Sequence, residues 1–272
     1  MSIKKKKPSA LSFSALIAMA LLWLSPFTWL VFTAFDPAAT GAFALPDSLS
    51  LINFARIFEV DSLKWIVNSL IIGAGTATVV LVVTMLAAYP FSRLNFPGKD
   101  SILWGLVLIR IIPASAFILP LYLLSVKLGL LNHTGVILAG SLLNLPFGLL
   151  LMKNFYDSIP RTYEEAACID GAGMWGTLIR IIFPACRSGA AVVWFQTFMT
   201  GWGTFMLPLI FLRKPTQWPM AVGLYSSFGL YGDVNYGFLS AFSILYALPP
   251  IIIYLRLRNN LSSGLAGAGI KG

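Results

Sequence analysis

Six long apolar runs dominate the chain and leave it few folds to choose from. They cover approximately Leu11–Phe35, Trp65–Phe91, Ser101–Ser125, Thr134–Met152, Ser188–Leu212 and Tyr236–Leu255. A run of about 18 or more apolar residues is long enough to cross the hydrocarbon of a bilayer as a helix. Barrel strands are shorter and alternate, so the runs predict helices. The chain reads as all-α, a polytopic membrane protein with six transmembrane helices. With 58% hydrophobic and 11% charged residues it has little material for a soluble domain. Pro113, Pro120 and Pro146 lie inside predicted spans and predict kinks there.

The basic residues give an orientation. With the N-terminus in the cytoplasm, thirteen of the 19 Lys and Arg fall on the cytoplasmic side, five fall outside, and Arg110 lies within a span. This bias predicts cytoplasmic N- and C-termini. The formal charge of +9 follows from topology and attraction to anionic lipid, and calls for no nucleic acid. Lys4–Lys7 ahead of an apolar run also suits a signal peptide, with Ala42-Phe43-Ala44 as a cleavage-like site. The run is far longer than the roughly 7–15 residues of a signal core, which favours an uncleaved helix.

Several chemistries lack their residues. No G-x-x-x-x-G-K-[ST] phosphate loop occurs, because the Gly73–Thr78 run has no lysine. All ten acidic residues lie outside the six runs, which counts against a proton-coupled carrier, although sodium sites built from carbonyls stay open. The single histidine, His133, and the two cysteines, Cys168 and Cys186, have no metal-ligand spacing. No nucleophile–base set is present, so no catalytic residue and no metal site are assigned. A secondary carrier and a non-transporting scaffold or sensor remain alternative readings.

One cytoplasmic segment is polar, helical in pattern and placed between two spans. It reads Glu164-Glu165-Ala166-Ala167-Cys168-Ile169-Asp170-Gly171-Ala172-Gly173, then runs to Ile181 and Pro184. Two signals mark the start of its first helix and differ by about two residues. Pro160 suits the first helical position, and Thr162 has capping-box spacing to Glu165. Asp157, Glu164 and Glu165 place negative charge near the helix N-terminus. Ala166, Ala167 and Gly171 predict a surface of small side chains. Gly171-Ala172-Gly173 predicts a turn. A second amphipathic helix to Pro184 would bury Trp175, Leu178, Ile181 and Ile182.

The spacing Glu-Ala-Ala, three residues, Gly, nine residues, Ile and Pro resembles the EAA loop of permease subunits of ABC importers, with Phe183 in place of a leucine. Asn68-Ser69-Leu70, Ala87-Ala88-Tyr89, Ser92–Lys99, Leu128–Asn132 and the terminal Gly264–Gly272 extend the resemblance. The last is similar to the end of carbohydrate permeases of the maltose-transporter type, specifically the smaller, second permease. Trp202-Gly203 departs from a frequent Trp-Asn in that family.

The resemblance implies a type I ABC importer permease fold in a single transmembrane domain over 1–272, with a coupling loop at 156–187 and a small-residue tail at 259–272. It implies ATPase coupling through Glu164, Glu165, Ala166, Ala167, Asp170, Gly171, Ile181 and Pro184. The implied partners are two copies of a cytoplasmic ABC ATPase, a second permease subunit, an extracytoplasmic solute-binding protein and the lipid of the inner membrane. This chain itself would bind no cofactor, with ATP and Mg on the ATPase. The implied cargo is a sugar or oligosaccharide, with a polyol, glycerol phosphate or another small solute as alternatives.

Candidates for the translocation path follow from chemistry, since sugars stack on rings and offer hydroxyls to amides. They are Tyr122, Asn144, Trp194, Gln196 and Trp202, with Arg110 as the one intramembrane charge. The outer segment Arg213–Asn235, rich in Pro and Gly, is expected to reach the binding protein.

Overall fold

The computed structural model describes residues 10–42, 44–59, 61–226 and 234–269. Lys4–Lys7, Phe43, the 227–233 part of the outer segment and the last three residues lie outside them. The described residues contain helices and no strand. Four helices are long and apolar enough to cross a membrane, and two bent pairs bring the count up to six.

The chain divides into two compact units, Met1–Val60 with Ser226–Ala247, and Asp61–Tyr225 with Leu248–Gly272. In the first, α1 (Ala10–Phe35) is followed by the short α2 (Ile52–Glu59). Buried Asn53 ties them together, donating to the carbonyls of Ala34 at 3.1 Å and Asp36 at 2.8 Å. Phe35 and Phe54 pack beside this bond.

The second unit is built on α3 (Ser62–Arg93), α6 (His133–Asp157) and α10 (Arg187–Trp202). Water does not drive helices together inside a bilayer, so close packing needs small residues at the crossings. The α3–α10 crossing shows this. A Cβ on Gly201 would stand 3.0 Å from the Cα of Gly73, and one on Gly73 would stand 3.3 Å from the backbone nitrogen of Trp202. Below the crossing a core forms from Val80, Ala88, Met152, Phe155, Tyr156, Leu178, Ile182 and Val193.

Three predicted spans differ in detail. Ser101–Ser125 is broken: α4 (Lys99–Ile109) and the helical stretch Ala114–Lys127, a 3-10 turn leading into α5 (Ile118–Lys127), meet at 101°. Pro113 disfavours helix at Ile112, and Pro113 itself is extended with ψ 133°. Ser188–Leu212 is also interrupted, because α10 stops at Trp202 and α11 (Met206–Phe211) follows separately. A continuous helix would set the Pro208 ring against the Thr204 carbonyl and leave that carbonyl unpaired. Tyr236–Leu255 is too short, since α13 runs from Tyr236 to Gly269 and takes in most of the small-residue tail. Pro146 lies inside α6 without ending it.

Candidate functional site

The polar loop after α6 forms two short helical pieces. The first, α7 (Thr162–Ile169), begins two residues after the Pro160 signal and one residue before the start implied by a Thr162 cap. Thr162 is the first helical residue rather than the cap, Pro160 lies outside, and Arg161 precedes the helix without a side-chain capping bond. Its start is set by backbone bonds, with Glu164 and Glu165 N–H groups both donating to the Arg161 carbonyl.

The end of α7 explains the spacing of the motif. Gly171 has φ of 80°, a left-handed conformation that a side chain makes costly. The Ala172 N–H donates to the Ala167 carbonyl at 2.9 Å, and the Gly171 N–H to the Cys168 carbonyl at 3.1 Å. This is a Schellman closure, which needs a glycine four positions after the first bonded carbonyl. A Cβ at Gly171 would meet nothing within 4 Å. Gly171→Ala is therefore expected to cost about 1–2 kcal/mol from backbone strain alone. Faster proteolysis within 162–173, with the rest of the chain unchanged, is the result to look for.

The predicted surface of small residues does not form. Ala167 is buried in the bundle, while Gly171 lies beyond the helix and is exposed. What α7 presents outward is Thr162, Tyr163, Glu165, Ala166, Cys168 and Ile169, the last 86% exposed, with exposed Asp170 just beyond its end.

The second piece joins α8 (Met174–Thr177), a π turn (Leu178–Ile182) and α9 (Phe183–Ala185). Pro184 has no N–H for the Arg180 carbonyl, and the helix widens just before it, with the Phe183 N–H reaching back five residues to Leu178. Leu178 and Ile182 are buried as expected and Ile181 partly so. Trp175 is not: on the first turn of this piece it is 62% exposed. A 73° bend then leads into α10.

The loop is held to α3 by a polar cluster. Arg93 Nε donates to Glu164, Nη2 donates to the Ile159 carbonyl at 3.0 Å, and Nη1 to the Ser92 hydroxyl at 3.2 Å. The Tyr89 hydroxyl donates to the other Glu164 oxygen at 3.0 Å. Ser92 donates to Asp157 at 2.6 Å, and Lys153 holds the second Asp157 oxygen at 2.6 Å. Sequence reasoning placed Glu164 in the coupling set and at the helix N-terminus but named no partner for it, and gave Tyr89, Ser92 and Arg93 no role. The signal was a Tyr, Ser and Arg at i, i+3 and i+4 on one face of the last turns of an apolar helix.

The path candidates are spread over several environments. Asn144 lines a cavity of about 350 Å3 between α3, α6 and α10, together with Thr76, Ser115, Thr200 and Phe205. Arg110 lines another, of about 400 Å3, at the break of the third span, and its guanidinium stands 4.4 Å from the centre of the Phe147 ring. That cation–π contact is a partner the sequence did not suggest. Trp194, Phe198 and Trp202 stack in series along α10, and the Trp194 N–H donates to Thr78 at 3.2 Å. Trp202 is buried, Gln196 is exposed, and Tyr122 packs edge-on against Phe211.

Residues 80–267 match the family model described as "Binding-protein-dependent transport system inner membrane component". The chain belongs to this family. As an inner-membrane permease it has relatives of nearly equal length. It is 29% identical to the maltodextrin transport system permease protein MalD of Streptococcus pneumoniae, over 99% of this chain and 98% of that one. It is 32% identical to the galactooligosaccharides transport system permease protein GanQ of Bacillus subtilis, over 96% and 95%. Among solved structures, a chain of a bacterial ABC transporter that imports the acidic polysaccharide alginate aligns with a TM-score of 0.79 at 19% identity, covering 95% of this chain and 100% of that one. At that identity the likeness speaks for the fold.

The first part of the Pro- and Gly-rich segment after Arg213 is packed rather than loose. Trp65, Asn68 and Ser69, near the N-terminal end of α3, hold it by side-chain bonds. Trp65 Nε1–H donates to the Pro215 carbonyl at 2.9 Å. Asn68 donates to the Thr216 and Trp218 carbonyls at 2.9 and 3.0 Å. The Ser69 hydroxyl accepts from the N–H of Met220, the first residue of α12 (Met220–Ser226), at 2.8 Å. His133, at the start of α6, bonds the Gln217 carbonyl at 2.8 Å, so its ring has a structural use. No group of three or more His, Cys, Asp or Glu suited to a metal occurs among the described residues.

Proposed function

We propose that this chain forms half of the translocation pore of an ATP-driven, binding-protein-dependent importer for a sugar or oligosaccharide. The observation that carries the cargo class is likeness over almost the full length to permeases named for carbohydrates: maltodextrin, galactooligosaccharides and, at 28% identity, diacetylchitobiose. A polyol, glycerol phosphate or another small solute is the second choice within the same mechanism.

In this reading both termini are cytoplasmic, and 156–187 docks on one of two copies of an ABC ATPase. That partner holds ATP and Mg and performs the hydrolysis. Exposed Glu165, Ala166 and Ile169 are the docking face, with exposed Trp175 beside them in sequence. Gly171 shapes the turn, and Ile181 and Pro184 carry motion into α10. A second permease, a different chain, completes the pore. Asn144 and Arg110 are the path candidates favoured by cavity position, and the outer segment after Arg213 meets the solute-binding protein.

The test is purification of the tagged chain from native membranes in mild detergent, with partners identified by mass spectrometry. Recovery of a P-loop ATPase, a second polytopic permease and a solute-binding protein that binds oligosaccharide is the expected result. Recovery of the chain alone, under conditions that keep other membrane complexes intact, would reverse the reading in favour of a self-sufficient carrier.

A further inference from the structure

We propose that Arg93 is the positioning residue that locks α7 to α3, so that the docking helix and a pore-lining helix move as one body. The proposal rests on the reading of 156–187 as the ATPase-docking loop. It adds how displacement of that loop reaches the bundle.

Arg93 is the last residue of α3, and its side chain is 7% exposed. Its guanidinium has a partner in each of three places: the Glu164 carboxylate on α7, the Ile159 carbonyl between α6 and α7, and the neighbouring Ser92 hydroxyl. The Glu164 side chain is 16% exposed, and its two oxygens take donors from one helix, Arg93 and Tyr89. Ser92 extends the cluster to Asp157 at the end of α6. A planar guanidinium bonded to several acceptors fixes angle as well as distance, which a lysine ammonium does not.

The remainder of α7 offers little else to set its angle. It has eight residues, too few to be stable alone, and Ala167 is its one buried side chain. An alanine methyl resists sliding weakly. Orientation of the first turn therefore comes from the ionic clamp. Further up, the same α3 carries Ile72 and Thr76 into the lining of the cavity that Asn144 shares. A push on α7 thus arrives at the cavity wall through one rigid element, provided the clamp holds.

The test measures distance between two nitroxide labels, one replacing Leu94 at the end of α3 and one on Cys168 of α7, both exposed positions. The protein is the purified transporter with its ATPase, other reactive thiols removed. It is compared without nucleotide and after trapping with ATP and vanadate. The lock predicts one narrow distribution, unchanged within about 2 Å between the two states. Arg93→Gln and Glu164→Gln should each broaden it and let the states separate by about 5 Å, while Arg93→Lys should fall between. A natural-sequence complex whose label distance shifts by about a helical turn of 5 Å overturns the proposal. So does a Gln variant that keeps the narrow distribution in both states. If no ATPase co-purifies, the importer reading falls and takes this one with it. If the ATPase is present and the distances shift, only the lock falls.

Discussion

Arg93→Ala is expected to free α7 from the bundle at a cost of about 3–5 kcal/mol, the range for removing one partner of a buried ion pair. The reason is what stays behind. Glu164, 16% exposed, would keep its charge with only the Tyr89 hydroxyl to face it, and the Ile159 carbonyl would lose its donor. The loss should be local, because the apolar core around Met152, Phe155 and Tyr156 does not depend on the pair. Amide hydrogen exchange should rise by about a hundredfold or more across 162–169 and little in α3 above Thr84. The double variant Arg93→Ala/Glu164→Leu should recover much of the protection, since removing both charges is far less costly than removing one. Unchanged exchange in α7 of Arg93→Ala would show that the loop is held by something else.

Gly201→Leu should be strongly damaging within the membrane. At the α3–α10 crossing Gly201 faces the backbone of Gly73, and Gly73 faces the Phe198 ring and the Trp202 nitrogen. A Cβ at Gly201 lies 3.0 Å from the Gly73 Cα and 3.4 Å from the Thr76 Cβ, and neither atom can rotate away. The two helices would have to separate, exposing the Phe198 and Trp202 contacts. Overpacking of this kind costs about 1–3 kcal/mol, and a backbone neighbour places it at the upper end. The purified protein in detergent should lose thermal stability sharply with Gly201→Leu and less with Gly201→Ala. Gly176→Ala is the control, because its Cβ would meet only the Ala172 methyl at 3.8 Å. Equal melting of all three would remove the crossing from the list of determinants.

The spans were legible because lipid imposes one demand on every residue of a crossing helix, and long apolar runs satisfy it visibly. The breaks were less so. Pro113 announced a kink, yet hydropathy does not distinguish a tilt from a 101° turn, since both keep apolar side chains in lipid. Pro208 had the same meaning and passed inside a run. Helix ends were misjudged where α6 and α13 continue past the hydrocarbon as polar helix, to Asp157 and Gly269.

In the loop, local signals did what local signals can. Gly171 marked the Schellman turn, and the nine-residue gap to Ile181 came with a second helical piece. What the sequence hid was the destination of charge. Glu164 read as a helix-dipole residue of the first turn, which it is, but its carboxylate also answers an arginine 71 positions earlier. The small surface expected from Ala167 and Gly171 failed for a related reason. Helical spacing put both on one face, and the helix stops before Gly171 is reached.

One helix connects the two aqueous faces with unusual economy of means. At about 1.5 Å per residue, the 32 residues of α3 span about 48 Å, well beyond the roughly 30 Å of hydrocarbon. Its N-terminal end grips the 215–220 segment with residues 65, 68 and 69, and its C-terminal end grips the polar loop after α6 with residues 89, 92 and 93. Both grips use the same i, i+3, i+4 spacing, so each is a single face of the helix. Corresponding members are 24 positions apart, which at 3.6 residues per turn sets the two faces about a third of a turn apart. A rod seized from two directions in this way behaves as an axle: it resists roll at either end, and torque applied to one set of teeth is felt by the other.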